Sequence, residues 1–306
     1  MLLTGNKLII PLFDSELSHT KSYDLCDGIA LFTLTKDYEE QLRSKPELIA
    51  RYEYSLKYMK CGLSIEPDLF IHGKQLNWTN LMEFSVFIAM LIRLATGVPI
   101  DIPYWFDVEN DEIKGCGNTL VITYRGGNRY LYPLDDGKQA NGLTALQNGI
   151  AYIAQKHLQE SSKNVLIRAI EFAAIGIQNR HIPSRLVNNT IFLESLFCHS
   201  NNELSFQIAA SVSWYLRSRS KVEERDELFK KVKELYKYRS KIVHGADISS
   251  NNKKLVENLL FSEELITDIL QNILIRNHVE TFSMSQNKRQ EELRKLSLGA
   301  GNILLS

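Results

Sequence analysis

Arg225-Asp-Glu-Leu-Phe-Lys-Lys-Val-Lys-Glu-Leu-Tyr-Lys-Tyr-Arg-Ser-Lys-Ile-Val-His244-Gly245 is the stretch on which the reading of the C-terminal half turns. At ~100° per residue, Leu228, Val232, Leu235, Ile242 and Val243 share one apolar stripe, and Lys230, Lys233, Lys237 and Lys241 fall opposite. The spacing predicts one long amphipathic helix, closed by Gly245 as its C′ residue. Arg239 does not follow its charge, because the angular arithmetic puts it inside the apolar stripe. An arginine there needs a partner or a cavity, since an unpaired buried charge is costly. His244 lies ~140° further round, at the helix end, where the aligned carbonyls favour a cation and suit a proton donor.

A carboxylate breaks an earlier apolar run. Ile191-Phe-Leu-Glu194-Ser-Leu-Phe-Cys198 is apolar on nearly every side except at Glu194. Arg239 is the obvious cation for it. The two residues form a buried structural ion pair, or Glu194 orients Arg239 or titrates at a site, and these readings are compatible.

Working outward, helices are expected at 143–158, 163–179, 184–198, 203–217, 222–244 and 255–277, followed by a polar tail from Ser283. The first half is mixed. A strand ends at Pro11, Ile29–Thr35 suits a buried strand, and residues 36–60 turn helical with Pro46 near a helix start. Asn80 followed by Glu83 gives a capping box ahead of Phe84–Ala95, and Thr96-Gly97-Val98-Pro99 ends that helix. A hairpin is expected from Thr119–Tyr124, a turn at Arg125-Gly-Gly-Asn128, and a return over Arg129–Leu134. The fold class is α+β: a mixed domain over 1–160, an all-α helical bundle over 161–282, and a tail over 283–306.

The chain of 306 residues carries 36 basic and 36 acidic side chains. Residues 1–160 hold 15 basic and 20 acidic groups, whereas 161–306 hold 21 and 16. Within 217–254 the tally is 12 basic against 6 acidic, so the surplus surrounds Arg239 and His244. This distribution points to localised phosphate contact with a shallow salt dependence. Cys26, Cys61, Cys116 and Cys198 are too widely spaced for a zinc knuckle or redox pair and suit reduced thiols in a cytoplasmic protein. No signal leader is expected, no window is apolar over a membrane-spanning length, and the seven histidines suggest no metal site.

Arg239-Ser-Lys-Ile-Val-His244-Gly245, preceded by Leu235-Tyr-Lys-Tyr238, resembles the Arg-x4–6-His motif of HEPN domains. The wider run, from Arg185-Leu-Val-Asn-Asn-Thr-Ile-Phe-Leu-Glu194-Ser-Leu-Phe through the Glu203 helix, is similar to the ApeA-like branch, over about residues 163–277. Ser240 stands where many ribonuclease members place Asn, Asp or His, and the ApeA-like branch often has Ser there. The resemblance implies a helical bundle that forms a homodimer with two Arg–His motifs facing each other. It implies a metal-independent, cofactor-free endoribonuclease of an anti-phage or toxin–antitoxin system, acting on tRNA or mRNA and working with an antitoxin or defence partner. On it, Arg239 balances charge on the phosphorane, His244 moves protons, and Glu194 supports Arg239. Ser240, Lys237, Lys241 and Tyr238 then contact substrate, with Tyr238 stacking on a base, while Tyr236 suits the core. The alternative is a non-catalytic HEPN module that binds RNA, a nucleotide or a protein.

Overall fold

The computed structural model describes residues 7–12, 15–19, 22–44, 60–66, 70–71, 74–75, 78–110, 112–121, 132–160, 163–200, 202–218, 220–245 and 253–298. The chain divides into two compact units, 1–158 and 159–306. The first combines an antiparallel sheet with helices, and the second is helical.

In the first unit, β1 (Lys7–Leu12) is central to a six-stranded sheet. Its neighbours are β5 (Cys61–Ile65) on one side and β8 (Ile102–Glu109) on the other, both antiparallel. Leu8, Ile9, Ile10 and Leu12 are all buried, as an unbroken apolar run requires of a strand covered on both faces. Pro11 falls beyond the last β1–β8 pair, Ile9–Phe106, so its missing N–H removes no bond from that ladder. Next to β5 come β4 (Ile29–Thr33) and β3 (Ser22–Cys26). Outside this sheet lie the short β2 (Ser15–Glu16) and the antiparallel pair β6 (Phe70–Ile71) and β7 (Lys74–Gln75).

The hairpin forms one strand earlier than its turn signal suggests. β9 (Glu112–Val121) folds back on β8, with Asn110 at φ 49°, a left-handed conformation that Asn tolerates. Thr119–Val121 thus complete β9, and the expected turn at 125–128 lies outside the described residues. Tyr132 and Pro133 of the expected return strand pair in parallel with Ser15 and Glu16 instead. The Asp135 carboxylate fixes that crossing by accepting from the Ser18 and His19 N–H groups, both at 2.7 Å.

Two helix starts also differ from expectation. α1 (Lys36–Arg43) is followed by 45–59, which with Pro46 lie outside the described residues. α2 (Trp78–Thr96) already contains Asn80, which therefore is not its cap. α3 (Gly137–Glu160) begins before Asn141-Gly142 rather than after it. Gly142 is a packing residue: a Cβ there would lie 2.4 Å from the Ala95 carbonyl oxygen and 2.8 Å from Thr96 Cα. Glycine permits α3 to touch the end of α2 backbone to backbone. Further along α3, His157 stacks on Phe87 with ring centroids 3.8 Å apart, and burial pushes its pKa down to about 4.

The second unit is a helical bundle. Asn164 caps α4 (Val165–Gln178) by accepting from the Ile167 N–H at 3.2 Å. The three-residue link 179–181 returns the chain along α4 as α5 (Ile182–Phe197). α6 (Leu204–Arg217), α7 (Val222–Val243) and α8 (Lys253–Ile275) complete the frame, each touching α5. Phe197, Tyr215 and Phe282 form an aromatic cluster with centroids 5.4–5.6 Å apart. The Tyr215 hydroxyl meets His278 Nδ1 at 3.2 Å, which satisfies a buried polar group inside that cluster. The C-terminal stretch is not a separate tail in its described part. After a short α9 (Val279–Ser283), α10 (Gln286–Ser297) packs on α6 and buries Leu293 and most of Arg289.

Candidate functional site

Helices α5 and α7 bring the two charged residues of their apolar faces together. On α5, Phe192, Leu193, Leu196 and Phe197 are buried around Glu194; on α7, Val232, Leu235 and Tyr236 are buried below Arg239. Packing these stripes leaves the carboxylate and guanidinium nowhere better to go than toward each other. Arg239 Nη2 stands 3.2 Å from Glu194 Oε1, with 27% and 22% of the side chains exposed. The contact is ionic rather than a well-aligned hydrogen bond, and the buried Arg239 Nε finds no acceptor among the described residues.

Burial raises the Glu194 pKa above the ordinary carboxylate value, while Arg239 and the Tyr236 hydroxyl beside it pull it back without reversing the shift. Tyr236 donates to the Thr190 carbonyl at 3.4 Å, and burial foremost, with the Glu194 charge second, holds its phenol well above its usual range. At neutral pH Tyr236 is therefore a neutral donor locked in the core, as the sequence suggests.

Beside the pair opens a cleft of about 830 Å³ between α7 and the start of α6, within the range of ligand-sized sites. Of the residues picked from the sequence it gathers Glu194, Arg239, Ser240 and Lys237. Lys230 and Lys233 add to its basic wall, against the acidic Glu194 and Glu234. Lys230 is held by Asp226 at 2.6 Å, one turn back along the helix.

Three expected site residues lie elsewhere. His244 is exposed and caps α7, its N–H donating to the Ser240 carbonyl at 3.0 Å, and it does not line the cleft. Gly245 follows with φ 73° and its N–H on the Ile242 carbonyl, the expected glycine stop. Tyr238 is a correction: only 6% exposed, it has no open face on which a base can stack. Lys241 sits 5.2 Å above the Tyr238 ring rather than at the cleft. The apolar stripe also ends sooner than its periodicity suggests, since Val243 is 51% exposed and Ile242 only half-buried. Among the described residues, none covers Val243 in that last turn.

The cleft also has an apolar wall that the sequence did not single out. Phe229, Leu204 and Ser205 line it, and Phe206 meets Phe229 edge to face at 5.6 Å. The signal was present in the i, i+4, i+7 spacing of Phe229, Lys233 and Tyr236, but helical periodicity cannot separate a cleft wall from a core flank.

Among the described residues no three His, Cys, Asp or Glu side chains converge to hold a metal, and no helix is long and apolar enough to cross a membrane. No family model, curated protein or solved structure matches the chain.

Proposed function

We propose that the helical unit is a HEPN-type ribonuclease that cleaves RNA without a metal ion. The observation that carries this reading is the cleft itself, where Arg239, fixed by Glu194, opens beside Ser240 and a row of lysines. A half-buried guanidinium with donors to spare suits a phosphate, and its attraction strengthens as charge develops on the phosphorane.

The reaction follows from RNA's own nucleophile. The ribose 2′-oxygen attacks the adjacent phosphorus as its proton passes to a base. The bond from phosphorus to the 5′-oxygen then breaks as that oxygen takes a proton from an acid. The products are a 2′,3′-cyclic phosphate and a 5′-hydroxyl end. Base and acid must act from opposite sides, and a single imidazole does not serve both in one turnover step. A homodimer supplies two His244 side chains, each exposed at the end of its α7. A role in anti-phage defence or growth arrest fits such an activity.

The test is incubation of the purified full chain with tRNA and mRNA in EDTA over a range of protein concentrations. Cleavage leaving cyclic-phosphate and 5′-hydroxyl ends, with a rate per chain that rises with concentration, is the expected result. RNA left intact at every concentration overturns the catalytic reading. The second reading, a module that binds RNA or a nucleotide without cutting it, is favoured by one observation: His244 does not line the cleft of its own chain.

A further inference from the structure

The cleft is longer than a single phosphate needs, and its far end is aromatic. On α7, Phe229, Lys233, Tyr236 and Ser240 fall within ~60° of one another around the helix axis, so they form a single row. Arg239 lies ten positions after Phe229, which sets them about 15 Å apart along that axis. At the Phe229 end, Phe206 comes in from α6 with 51% of its surface exposed, and Lys233 Nζ stands 5.6 Å from the Phe229 ring centre. The charged residues lining the cleft are mainly cationic; Phe229 lines its outer end, and Phe206 packs on Phe229 from just outside the lining.

Phe206, half exposed against the edge of Phe229, offers an apolar surface beside a cationic row, and a ligand that covers both gains from each. Here the cover has to satisfy two conditions at once: a flat apolar face at Phe206 and Phe229, and negative charge along Lys230, Lys233 and Lys237. A polynucleotide strand with unpaired bases meets both. A duplex does not, because its bases are stacked on each other and its surface offers phosphate, ribose and base edges but no open base face.

Resting on the reading of this cleft as an RNA site, we infer that Phe206 and Phe229 are a base-stacking ledge that selects single-stranded RNA. One base stacks on the exposed Phe206 ring, which Phe229 backs edge-on with the two planes 77° apart, the lysines follow the backbone, and a phosphate further along the same strand meets Arg239. The ledge takes over the stacking role that the sequence assigned to Tyr238. Base–aromatic stacking tolerates any base, so the selection is for unpaired structure more than for sequence.

The experiment measures binding of a short, fluorescein-labelled 2′-O-methyl RNA strand to the full chain. That strand lacks the attacking hydroxyl, so binding is read without cleavage. The single strand is expected to bind at least tenfold more tightly than the same strand annealed to its complement. Phe206→Ala and Phe229→Leu are each expected to weaken single-strand binding about 5- to 100-fold, with duplex binding unchanged. Phe229→Leu keeps the half-buried position filled, and the exposed Phe206 tolerates truncation, so both variants should match the parent in thermal unfolding. One abasic position in the strand should weaken binding to the parent and have no effect on Phe206→Ala. Variants that bind the strand like the parent, or a duplex bound as tightly as the strand, overturn the inference. Cleavage without any ledge effect removes the ledge and leaves the nuclease; ledge-dependent binding with RNA never cut removes the nuclease and leaves the ledge.

Discussion

Arg239 Nη2 lies 3.2 Å from Glu194 Oε1, yet the carboxyl holds its proton more firmly than an ordinary glutamate does. Burial between α5 and α7 therefore outweighs the attraction of the cation. The pair does not hold the helices together so much as the packed helices hold the pair. Its value is to aim a guanidinium at a cleft.

Glu194→Gln separates those two roles. The amide keeps the volume and removes a charge whose ionisation is already unfavourable, so unfolding free energy at neutral pH should change by less than about 1 kcal/mol. Cleavage of RNA should fall on the order of 100-fold, because the guanidinium loses its orienting partner. Urea denaturation and single-turnover kinetics on the same preparation check both halves. A large loss of stability with unchanged kinetics would mean that the pair is structural.

Arg239→Met has the opposite signature. It leaves the Glu194 carboxylate without its cation, at a cost of about 1–3 kcal/mol at neutral pH. The Glu194 pKa is raised in the fold above the ordinary 4.5, so the ionised form lowers stability above the folded value, and this penalty is absent below 4.5. Removing Arg239 raises the folded value further and deepens the penalty. The stability gap between variant and parent should therefore narrow as pH falls through the folded value toward 4.5. Denaturation curves across the acid range measure it, and a gap that widens in acid contradicts the assignment.

His244→Ala should be nearly silent in stability, within about 0.5 kcal/mol, because the side chain is exposed and the cap is made by backbone groups. Loss of a proton-transfer group should slow cleavage about 10²- to 10⁴-fold. Mixing this variant with Arg239→Met should not restore activity, because the mixed dimer holds one His244 where the reaction uses two, one as base and one as acid. Thermal unfolding and an end-labelled RNA assay supply the readouts.

Gly142→Ala tests the α2–α3 approach in the first unit. Helix propensity alone favours alanine by about 1 kcal/mol. The new methyl group, however, meets Ala95 and Thr96 backbone atoms at 2.4–2.8 Å, and no rotamer change can relieve that contact. Overpacking of this kind costs about 1–3 kcal/mol, so a net loss is expected in the urea midpoint.

Much of the second unit was legible because its signals are local and repeated. The predicted helices at 163–179, 203–217 and 222–244 lie within two residues of α4, α6 and α7 at each end. The Glu194–Arg239 contact was legible because each residue is the one charge on an apolar stripe. Tyr238 was misread because a helical wheel assigns one buried side, whereas α7 is flanked on more than one, by α5, α6 and α8. Phe206 and Phe229 were invisible as a pair because their meeting depends on how α6 crosses α7. In the first unit the errors cluster at glycine and asparagine. Gly142 looked like a helix breaker and is a close-packing residue, whereas the turn that matters uses Asn110.

A single unbroken helix of 22 residues carries both Phe229 and Arg239, and that makes α7 a gauge. The interval between the stacked base and the held phosphate is set by a residue count, not by a hinge or a loop. Adding one residue between Lys230 and Tyr238 would turn Phe229 away by ~100° and spoil the alignment. Adding four would bring it back to within ~40° and lengthen the interval by ~6 Å. Chains that differ only in this count would measure off different lengths of the same strand.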